Sequence, residues 1–336
     1  MPDRTAALQT MLQQAGWGTA SSAFLAGDAS DRSYARLTLG DKTAVLMDAP
    51  PGKGDDPATF LAVAAHLCGL GLSAPRMLAQ DLTAGYLLLE DFGDAVFARV
   101  LLGDPGLEPS LYATAIDALV KLQSGPAMAG LPCLSPQDWA QAAAFAFDHY
   151  RAALTDEAAD QAPFVQCLTD LIAGHGTGPH VMIQRDFHAE NLIWLPGRTG
   201  AARAGLLDFQ LAQMGHPVYD LISLVQDARR DVQPDTAIQV MHRFCDSTGL
   251  SAQACETACA VWGAQRALRI IGIFARLALQ SGKTGYLALL PRVWGHLQTN
   301  LQHPALQPLQ HICAALLPAP TPATLAAIKQ KAGNRP

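Results

Sequence analysis

The segment 181–194 reads VMIQRDFHAENLIW. Three apolar residues open it and three close it, and the stretch between them is polar. Short apolar runs on both sides of polar residues predict two strands joined by a loop. The side chains able to carry chemistry all lie on that loop, namely Arg185, Asp186, His188, Glu190 and Asn191.

The spacing of two acidic residues and one amide indicates a reaction class. Asp186 and Asn191 are five positions apart, and a second apolar run, 205–207, ends at Asp208. ATP-dependent phosphoryl transfer needs a carboxylate that accepts the proton of the acceptor hydroxyl, and amide and carboxylate oxygens that hold Mg²⁺ on the phosphates. The pattern therefore predicts Asp186 as the catalytic base and Asn191 and Asp208 as Mg²⁺ ligands. A loop aspartate also serves as a simple turn former, so the interpretation depends on the surrounding segments.

Three segments carry a resemblance to a known family. They are QRDFHAENL at 184–192, LDF at 207–209 and GHPVYDL at 215–221, and together they resemble the aminoglycoside phosphotransferase and choline kinase-like superfamily, a branch of the protein-kinase-like fold. The resemblance implies an α+β, two-lobed fold with ATP and Mg²⁺ between the lobes. Its small antiparallel-sheet N-lobe would span residues 1–92, and its mainly helical C-lobe residues 93–336. Family members usually carry His where this chain has Gln184, and we expect Gln184 to support the loop by hydrogen bonding instead.

The segment 27–33, GDASDRS, follows one predicted strand and precedes another. The backbone N–H groups of such a loop can surround a phosphate, although an ordinary turn has the same composition. Its position at the start of a kinase-like lobe favours the first interpretation. The resulting candidates for nucleotide binding are Gly27, Asp28, Ala29, Ser30 and Arg32.

A buried-strand pattern at 86–89 leads into Glu90 and Asp91. In the family this stretch links the lobes, and its backbone binds the adenine edge. The resemblance therefore implies that Leu89, Glu90 and Asp91 bind the nucleotide. A strand that ends in an acidic turn would show the same sequence.

A lysine expected in the third strand is missing. The family places it there to pair with the α- and β-phosphates, but the strand reads AVLMD at 44–48 and Met47 stands at about that position. The following helix, 57–70, lacks the glutamate that would pair with it. Because both the lysine and the glutamate of this ion pair are missing, neither is left as an unpaired buried charge. The phosphate contact then falls to the loop backbone, Ser30, Arg32 or Lys53.

The remainder of the chain has helical periodicity. Helices are predicted at 107–122, 136–153, 157–173, 218–228, 235–247, 251–279 and 285–301. Ser135, followed by Pro136, predicts an N-cap. Asp220 either orients the catalytic loop, as the resemblance implies, or only interacts with the dipole of its helix.

The charge of the predicted helices in 251–300 helps to predict the class of acceptor substrate. Residues 251–300 contain five basic residues and one acid, Glu256, which disfavours a polycationic aminoglycoside. Arg266 and Arg269 share one helix face and suit a carboxylate if they face the site; the alternative is a role in surface or loop-bracing ion pairs. His188 and Glu190 are candidate sugar contacts. Arg185 is predicted either to brace the loop or to neutralise the transferred phosphate.

Further segments resemble the bacterial anomeric kinases of N-acetylmuramate and N-acetylglucosamine. They include GDAS at 27–30, MDAPP at 47–51, LLEDFG at 88–93, QR at 265–266 and GIFARL at 272–277. The resemblance covers nearly the whole chain and extends to the missing lysine. It implies phosphorylation of the C1 hydroxyl in cell-wall recycling, with the preference between the two sugars open. The alternatives are a kinase for an aminoglycoside, choline or homoserine, and a non-catalytic pseudokinase.

Composition narrows the class of protein. The net charge is −6, only 15% of residues are charged, and no basic run predicts nucleic-acid binding. The seven cysteines show no zinc spacing, so we expect reduced thiols in a cytoplasmic protein. Uncharged stretches are interrupted by polar residues, Gly or Pro, which predicts no membrane span. We expect a monomer whose partners are ATP and a small amino sugar.

Overall fold

The computed structural model describes residues 4–27, 32–54, 56–155, 157, 159–176 and 178–333. By compactness the chain divides into two units. The first consists of Met1–Ala129 and Ala189–Ala212, and the second of Gly130–His188 and Gln213–Pro336. The lobe boundary predicted after residue 92 stays a prediction.

The first unit contains the strands of one large sheet, several helices and a small ladder. Its helices are α1 (Arg4–Gln14), α2 (Pro57–Gly69), α3 (Phe97–Gly103) and α4 (Glu108–Ser124), with short 3₁₀ turns at Pro105–Leu107, Ala189–Asn191 and Gly200–Arg203. Its strands are β1 (Ser21–Gly27), β2 (Ser33–Leu39), β3 (Lys42–Asp48), β4 (Met77–Asp81), β5 (Tyr86–Glu90), β7 (Leu192–Trp194) and β8 (Ala204–Leu206).

The large sheet is antiparallel in the order β1-β2-β3-β5-β4. Alternate residues of a strand face opposite sides, and Leu37, Ala44, Leu46 and Leu88 pack in one core cluster with Met11 of α1. Val45 and Met47 therefore lie on the other face of β3. The predicted small antiparallel sheet is confirmed.

The second unit is mainly helical. Its α-helices are α5 (Pro136–Ala143), α6 (Ala162–His175), α7 (Val218–Val225), α8 (Pro234–Thr248), α9 (Ala252–Ser281), α10 (Leu290–Leu301), α11 (Gln307–Leu316) and α12 (Pro322–Gln330). A π-helical turn lies at Ala146–Tyr150, and 3₁₀ turns lie at Arg151–Ala153, Thr284–Leu289 and Pro304–Leu306. Strands β6 (Val181–Ile183) and β9 (Gln213–Gly215) pair with each other.

The strands on either side of the catalytic segment form as predicted, but they take different partners. β6 pairs with β9, whereas β7 pairs with β8. The segment between them is therefore not a hairpin loop. Each three-residue strand is instead anchored by a strand from later in the chain, which sequence periodicity cannot show.

Ser135 caps α5 as predicted. Its hydroxyl accepts a hydrogen bond from the Asp138 backbone N–H, while Asp138 accepts from the Ser135 backbone, which completes a capping box. The single helix predicted at 136–153 is wrong, because α5 ends at Ala143 and is followed by the π-helical and 3₁₀ turns. The interruption lies beside Phe145, whose backbone packs closely against Gly272 of α9.

Helix α9 is the long central helix of the second unit. Its 30 residues are apolar enough to cross a bilayer by composition, yet 89% of its most apolar window is buried inside the protein. Burial against neighbouring helices explains its composition, since the core helix of a globular protein needs the same apolar surface.

Gly272 is expected to be essential for this packing. A Cβ at this position would overlap the carbonyl group of Phe145, so Gly272→Ala should lower the free energy of unfolding by about 1–3 kcal/mol. Chemical denaturation measures the change. Gly295→Ala in α10 is the control, because a Cβ there meets nothing within 4 Å and alanine favours a helix. Equal stability of the two variants would contradict the close approach.

Candidate active site

A pocket of about 420 Å³ lies within the first unit. It is lined by residues from five separate stretches of the chain, and these include predicted nucleotide and metal ligands. The predicted residues among them are Gly27, Leu89, Glu90, Asp91, Asn191 and Asp208. Apolar side chains such as Val45, Phe60 and Leu207 supply much of the remaining wall. Such a pocket, apolar with a few convergent polar groups, is typical of a small-molecule site.

Asp91 is held by a bidentate ion pair with Arg36 of β2. Arg36 Nε lies 2.7 Å from Asp91 Oδ2, and Arg36 Nη2 donates to Asp91 Oδ1 at 3.1 Å. Arg36 also donates to Asp94 at 2.9 Å. The hydrogen bonds that Arg36 donates to the carboxylates of Asp94 and Asp91 raise its pKa. The Asp91 side chain therefore fixes the pocket wall, and a nucleotide contact at this position would come from the backbone.

Glu90 is held in a similar way. Arg198 Nη2 donates to Glu90 Oε1 at 2.6 Å, and Arg76 lies 3.5 Å from the other oxygen. The Glu90 N–H donates to the Arg76 carbonyl at 2.8 Å. The Arg198 guanidinium also lies over the ring of Phe92. The polar groups of Glu90 are thus largely committed to holding the segment after β5.

Asn191 and Asp208 are brought close by the β7–β8 ladder. The Leu207 N–H donates to the Asn191 carbonyl at 3.0 Å, and both predicted metal ligands line the pocket. Asp208 has a φ of 56°, a left-handed conformation that is uncommon outside glycine and clusters at functional sites. Gln210 donates to Asp208 Oδ1 at 2.8 Å. An amide oxygen and a carboxylate are suitable donors for Mg²⁺, which takes few protein ligands beside substrate phosphates.

The predicted phosphate loop is described only in part. Gly27 lines the pocket and Arg32 is buried. Asp28, Ala29 and Ser30, which are also predicted to bind the nucleotide, lie outside the described residues. Met47 is fully buried on the same face of β3 as the pocket residue Val45. A methionine therefore occupies the place where the family lysine would be expected.

In the second unit, Asp220 anchors the start of the loop that is predicted to be catalytic. The backbone N–H groups of Gln184 and Arg185 donate to its two carboxylate oxygens at 2.6 and 2.9 Å. Burial raises the pKa of Asp220 to about 7, although these two hydrogen bonds lower it. The contacts favour a loop-orienting role over a helix-dipole role. The Gln184 side chain, by contrast, has an Nε2 without a partner among the described residues, so its backbone supplies the bond to Asp220.

Ser223 links the same loop to α9. Its hydroxyl donates to the Arg185 carbonyl at 3.2 Å and accepts from Arg266 Nη2 at 2.9 Å. Arg266 Nη1 also donates to the Gln226 carbonyl, and its side chain is buried. These contacts favour the bracing alternative for Arg266, and its predicted contact with substrate stays a prediction.

A buried polar group near the catalytic loop was missed by the sequence analysis. Asp227 follows α7 and is fully buried; its Oδ1 accepts from the Arg229 N–H, while its Oδ2 has no partner in the described part of the chain. His188 is also buried, with Nε2 at 3.4 Å from Arg229 Nη1 and an unpartnered Nδ1 among the described residues. Burial lowers the pKa of His188 to about 4. The only available sequence signal was an acidic residue soon after the largely apolar helix α7.

The other predicted residues lie on or near the same loop or on α9. Asp186 is half-buried, Glu190 is exposed in the 3₁₀ turn after the loop, and Arg269 is half-buried one turn after Arg266. Electrostatic interactions couple Asp186 with Arg185, His188 and Arg266.

Comparison with known proteins identifies related sequences over most of the chain. The sequence profile of the phosphotransferase enzyme family matches residues 22–255. The N-acetylmuramate/N-acetylglucosamine kinase of Caulobacter vibrioides is 35% identical, covering 92% of this chain and 95% of the relative. The protein of the same name from Pseudomonas aeruginosa is 32% identical, covering 90% and 91%.

Solved structures share the fold at low sequence identity. Aminoglycoside phosphotransferase APH(4)-Ia, in a ternary complex with ADP and hygromycin B, is 13% identical with a TM-score of 0.60, covering 87% of this chain and 96% of that protein. ADP-bound APH(2'')-Ib is 15% identical with a TM-score of 0.57, covering 89% and 97%. The protein-kinase-like fold predicted from the sequence is confirmed.

The role of Asp220 is testable by Asp220→Asn. The amide would turn its NH₂ group toward one of the two backbone donors, leaving a buried N–H unsatisfied at a cost of about 1–3 kcal/mol. We expect a lower free energy of unfolding together with a large loss of catalytic rate. Asp235→Asn, in the exposed first turn of α8, tests the helix-dipole effect alone. Similar small changes in both variants would refute the anchoring role.

The buried imidazole of His188 predicts a pH dependence of stability. Above the usual pKa of about 6.5 it is neutral in folded and unfolded chains. Between about 6.5 and 4 only the unfolded chain takes up the proton, so stability should fall as the pH falls, by up to roughly 3 kcal/mol. Denaturation from pH 7 to pH 4 should show a shallower decline for His188→Gln. His311→Gln, at an exposed site, is the control, and parallel curves for wild type and His188→Gln would contradict the assignment.

Proposed function

The chain belongs to the phosphotransferase enzyme family, and from this premise we propose an ATP-dependent kinase that phosphorylates the anomeric C1 hydroxyl of N-acetylmuramate, N-acetylglucosamine or both. We assign this reaction to the recycling of cell-wall sugars. The observation that carries the proposal is similarity over 92% and 90% of the chain to relatives that bear the name of such kinases. The pocket of the first unit and the anchored loop of the second support it.

The first unit holds the nucleotide in this proposal. The apolar wall of the pocket packs against adenine, and the backbone of Leu89 and Asp91 binds its edge. Gly27 and the residues after it contact the phosphates, with Arg32 as a nearby cation. Asn191 and Asp208 would hold Mg²⁺, which when bound neutralises charge on the phosphate oxygens.

Asp186 is the catalytic base. Its carboxylate accepts the proton of the C1 hydroxyl as that oxygen bonds to the γ-phosphorus. The bond from the γ-phosphorus to the oxygen that bridges to the β-phosphate breaks, and ADP leaves with the bonding electron pair. Asp220 and Ser223 act as positioning residues, because they hold the backbone beside Asp186 rather than the reacting atoms.

Hydrogen bonds to the sugar hydroxyls are assigned to the polar groups near this base. His188 is neutral at pH 7 and can donate or accept. The free oxygen of Asp227 accepts hydrogen bonds, and Glu190 is an exposed acceptor. A sugar satisfies buried donors and acceptors that would otherwise destabilise the site.

Other small-alcohol acceptors are less well supported. A polycationic aminoglycoside would face the excess of basic residues in α9 and α10. Choline would need an aromatic cage around its quaternary ammonium, whereas Asp186 interacts electrostatically with Arg185, His188 and Arg266. The proposal includes a cytoplasmic monomer, and the seven cysteines, all free thiols, are consistent with a reducing compartment.

Direct detection of the product tests the function. Purified protein with Mg-ATP should give the ³¹P NMR signal of a sugar 1-phosphate with N-acetylmuramate or N-acetylglucosamine. Kanamycin, choline and homoserine should give none. Transfer of phosphate to kanamycin, choline or homoserine instead would show that the proposed substrate is wrong. Transfer to no acceptor would reject the proposed function.

The catalytic base is tested by Asp186→Asn. Loss of the proton acceptor should lower kcat by about 10²–10⁴-fold, while ATP binding, measured by calorimetry, stays near that of wild type. Asp170→Asn, at an exposed position on α6, is the control. Undiminished turnover in Asp186→Asn would exclude this mechanism.

A further inference from the structure

Two arginine side chains of the second unit, Arg185 and Arg269, have no hydrogen-bond or ion-pair partner among the described residues. The Arg185 side chain makes no hydrogen bond or ion pair among the described residues, and its Nε is buried without a partner there. Arg269 is half-buried and likewise makes neither contact within the described part of the chain. The acidic Asp186 follows Arg185 directly and interacts with it electrostatically. Buried or half-buried guanidinium groups are costly unless a hydrogen-bonding partner satisfies them.

The backbone of Arg185 is fixed although its side chain is unpartnered. Its N–H donates to Asp220 and its carbonyl accepts from Ser223. Its φ of 75° is an uncommon conformation for a residue with a side chain. Two tertiary hydrogen bonds thus maintain a strained residue in one orientation. A purely bracing arginine would instead use its guanidinium for the contact.

Arg269 is connected to Arg185 through Ser223 and Arg266. Ser223 bonds to both the Arg185 carbonyl and Arg266, and Arg269 follows Arg266 by three residues on the same face of α9. Like charge on Arg269 lowers the pKa of Arg185, second to the effect of burial. Arg266 is committed to protein acceptors, whereas Arg269 is not. The Asp186 and Asp220 carboxylates act on Arg185 electrostatically, but among the described residues no carboxylate forms an ion pair with either guanidinium group.

We propose that Arg185 and Arg269 form a carboxylate-binding subsite that recognises the acidic group of the acceptor sugar. The inference rests on the proposed function and names a residue pair that determines specificity within it. N-acetylmuramate carries a lactyl carboxylate, which N-acetylglucosamine lacks. Guanidinium groups bind carboxylates through charge-assisted, often bidentate hydrogen bonds. The pair therefore selects the acidic sugar over the neutral one.

The transferred phosphate is the other anion that such a pair attracts. A contact with phosphate would serve every acceptor equally, whereas a contact with the lactyl group serves only the acid. Arg185 adjoins Asp186, the group that touches the acceptor hydroxyl, which favours the acceptor as the source of the anion. The two sources therefore predict different substrate profiles.

The test compares three acceptors with wild type and Arg269→Gln. The acceptors are N-acetylmuramate, its carboxamide and N-acetylglucosamine. Wild type should prefer the acid over the carboxamide, and Arg269→Gln should reduce that preference about tenfold or more, mainly through the KM of the acid, as expected for loss of a charge-assisted hydrogen bond. Arg269→Lys should restore part of the preference, because it keeps the charge but loses the fork geometry.

Arg276→Gln is the matched control on the same helix. Its guanidinium packs over the ring of Phe145, so the acid preference should stay at the wild-type value. An equal loss for all three acceptors in Arg269→Gln would overturn the carboxylate assignment and favour contact with phosphate. Equal use of acid and carboxamide by wild type would overturn it without any variant. Activity on none of the three sugars would reject the proposed function together with this inference.

Discussion

The hydrogen bonds from the Gln184 and Arg185 backbone to Asp220 determine the geometry of the catalytic loop. The loop passes through a left-handed residue, Arg185, which an isolated peptide would rarely adopt. The carboxylate offsets that cost by accepting both N–H groups. Asp220 is itself immobilised on α7, a helix that is buried along its whole length. The packing of the second unit is therefore what places Asp186.

The first unit uses ion pairs for a similar purpose. Arg36 and Arg198 hold the acidic residues after β5, so a segment without regular structure becomes part of a defined pocket wall. Since both pairs are partly shielded from solvent, they resist screening better than exposed pairs do. The side chains of Glu90 and Asp91, which resemble a ligand-binding motif, therefore have a structural role. The backbone of this segment remains suited to binding the edge of a nucleotide base.

Features encoded locally were predictable from the sequence, and those that depend on distant residues were not. The cap at Ser135 needs only Asp138, and the β1–β2 hairpin needs only a turn and alternating strands. The separate partners of β6 and β7 depend on segments well downstream. The break in the helix predicted at 136–153 lies at a close contact with Gly272, more than a hundred residues away.

The candidate site shows the same division at the level of single side chains. A motif could nominate Asp186, Asn191 and Asp208, because their spacing along the chain reflects the reaction. The motif could not distinguish the roles of Arg266 and Arg269, which stand three residues apart on one helix. Only tertiary contacts show that Arg266 donates hydrogen bonds to Ser223 and Gln226. A sequence motif is equally unable to show which positive charges have partners in the folded protein. Met47 stands in the first unit where the family carries a buried charge, and a lone lysine there would be an unpaired ion. In the second unit, Arg185 and Arg269 have no hydrogen-bond or ion-pair partner within the part of the chain that the structure describes. A buried guanidinium group is costly unless an anion or a hydrogen-bond acceptor satisfies it, and for this reason the positions of Arg185 and Arg269 favour an anionic acceptor in the proposed site.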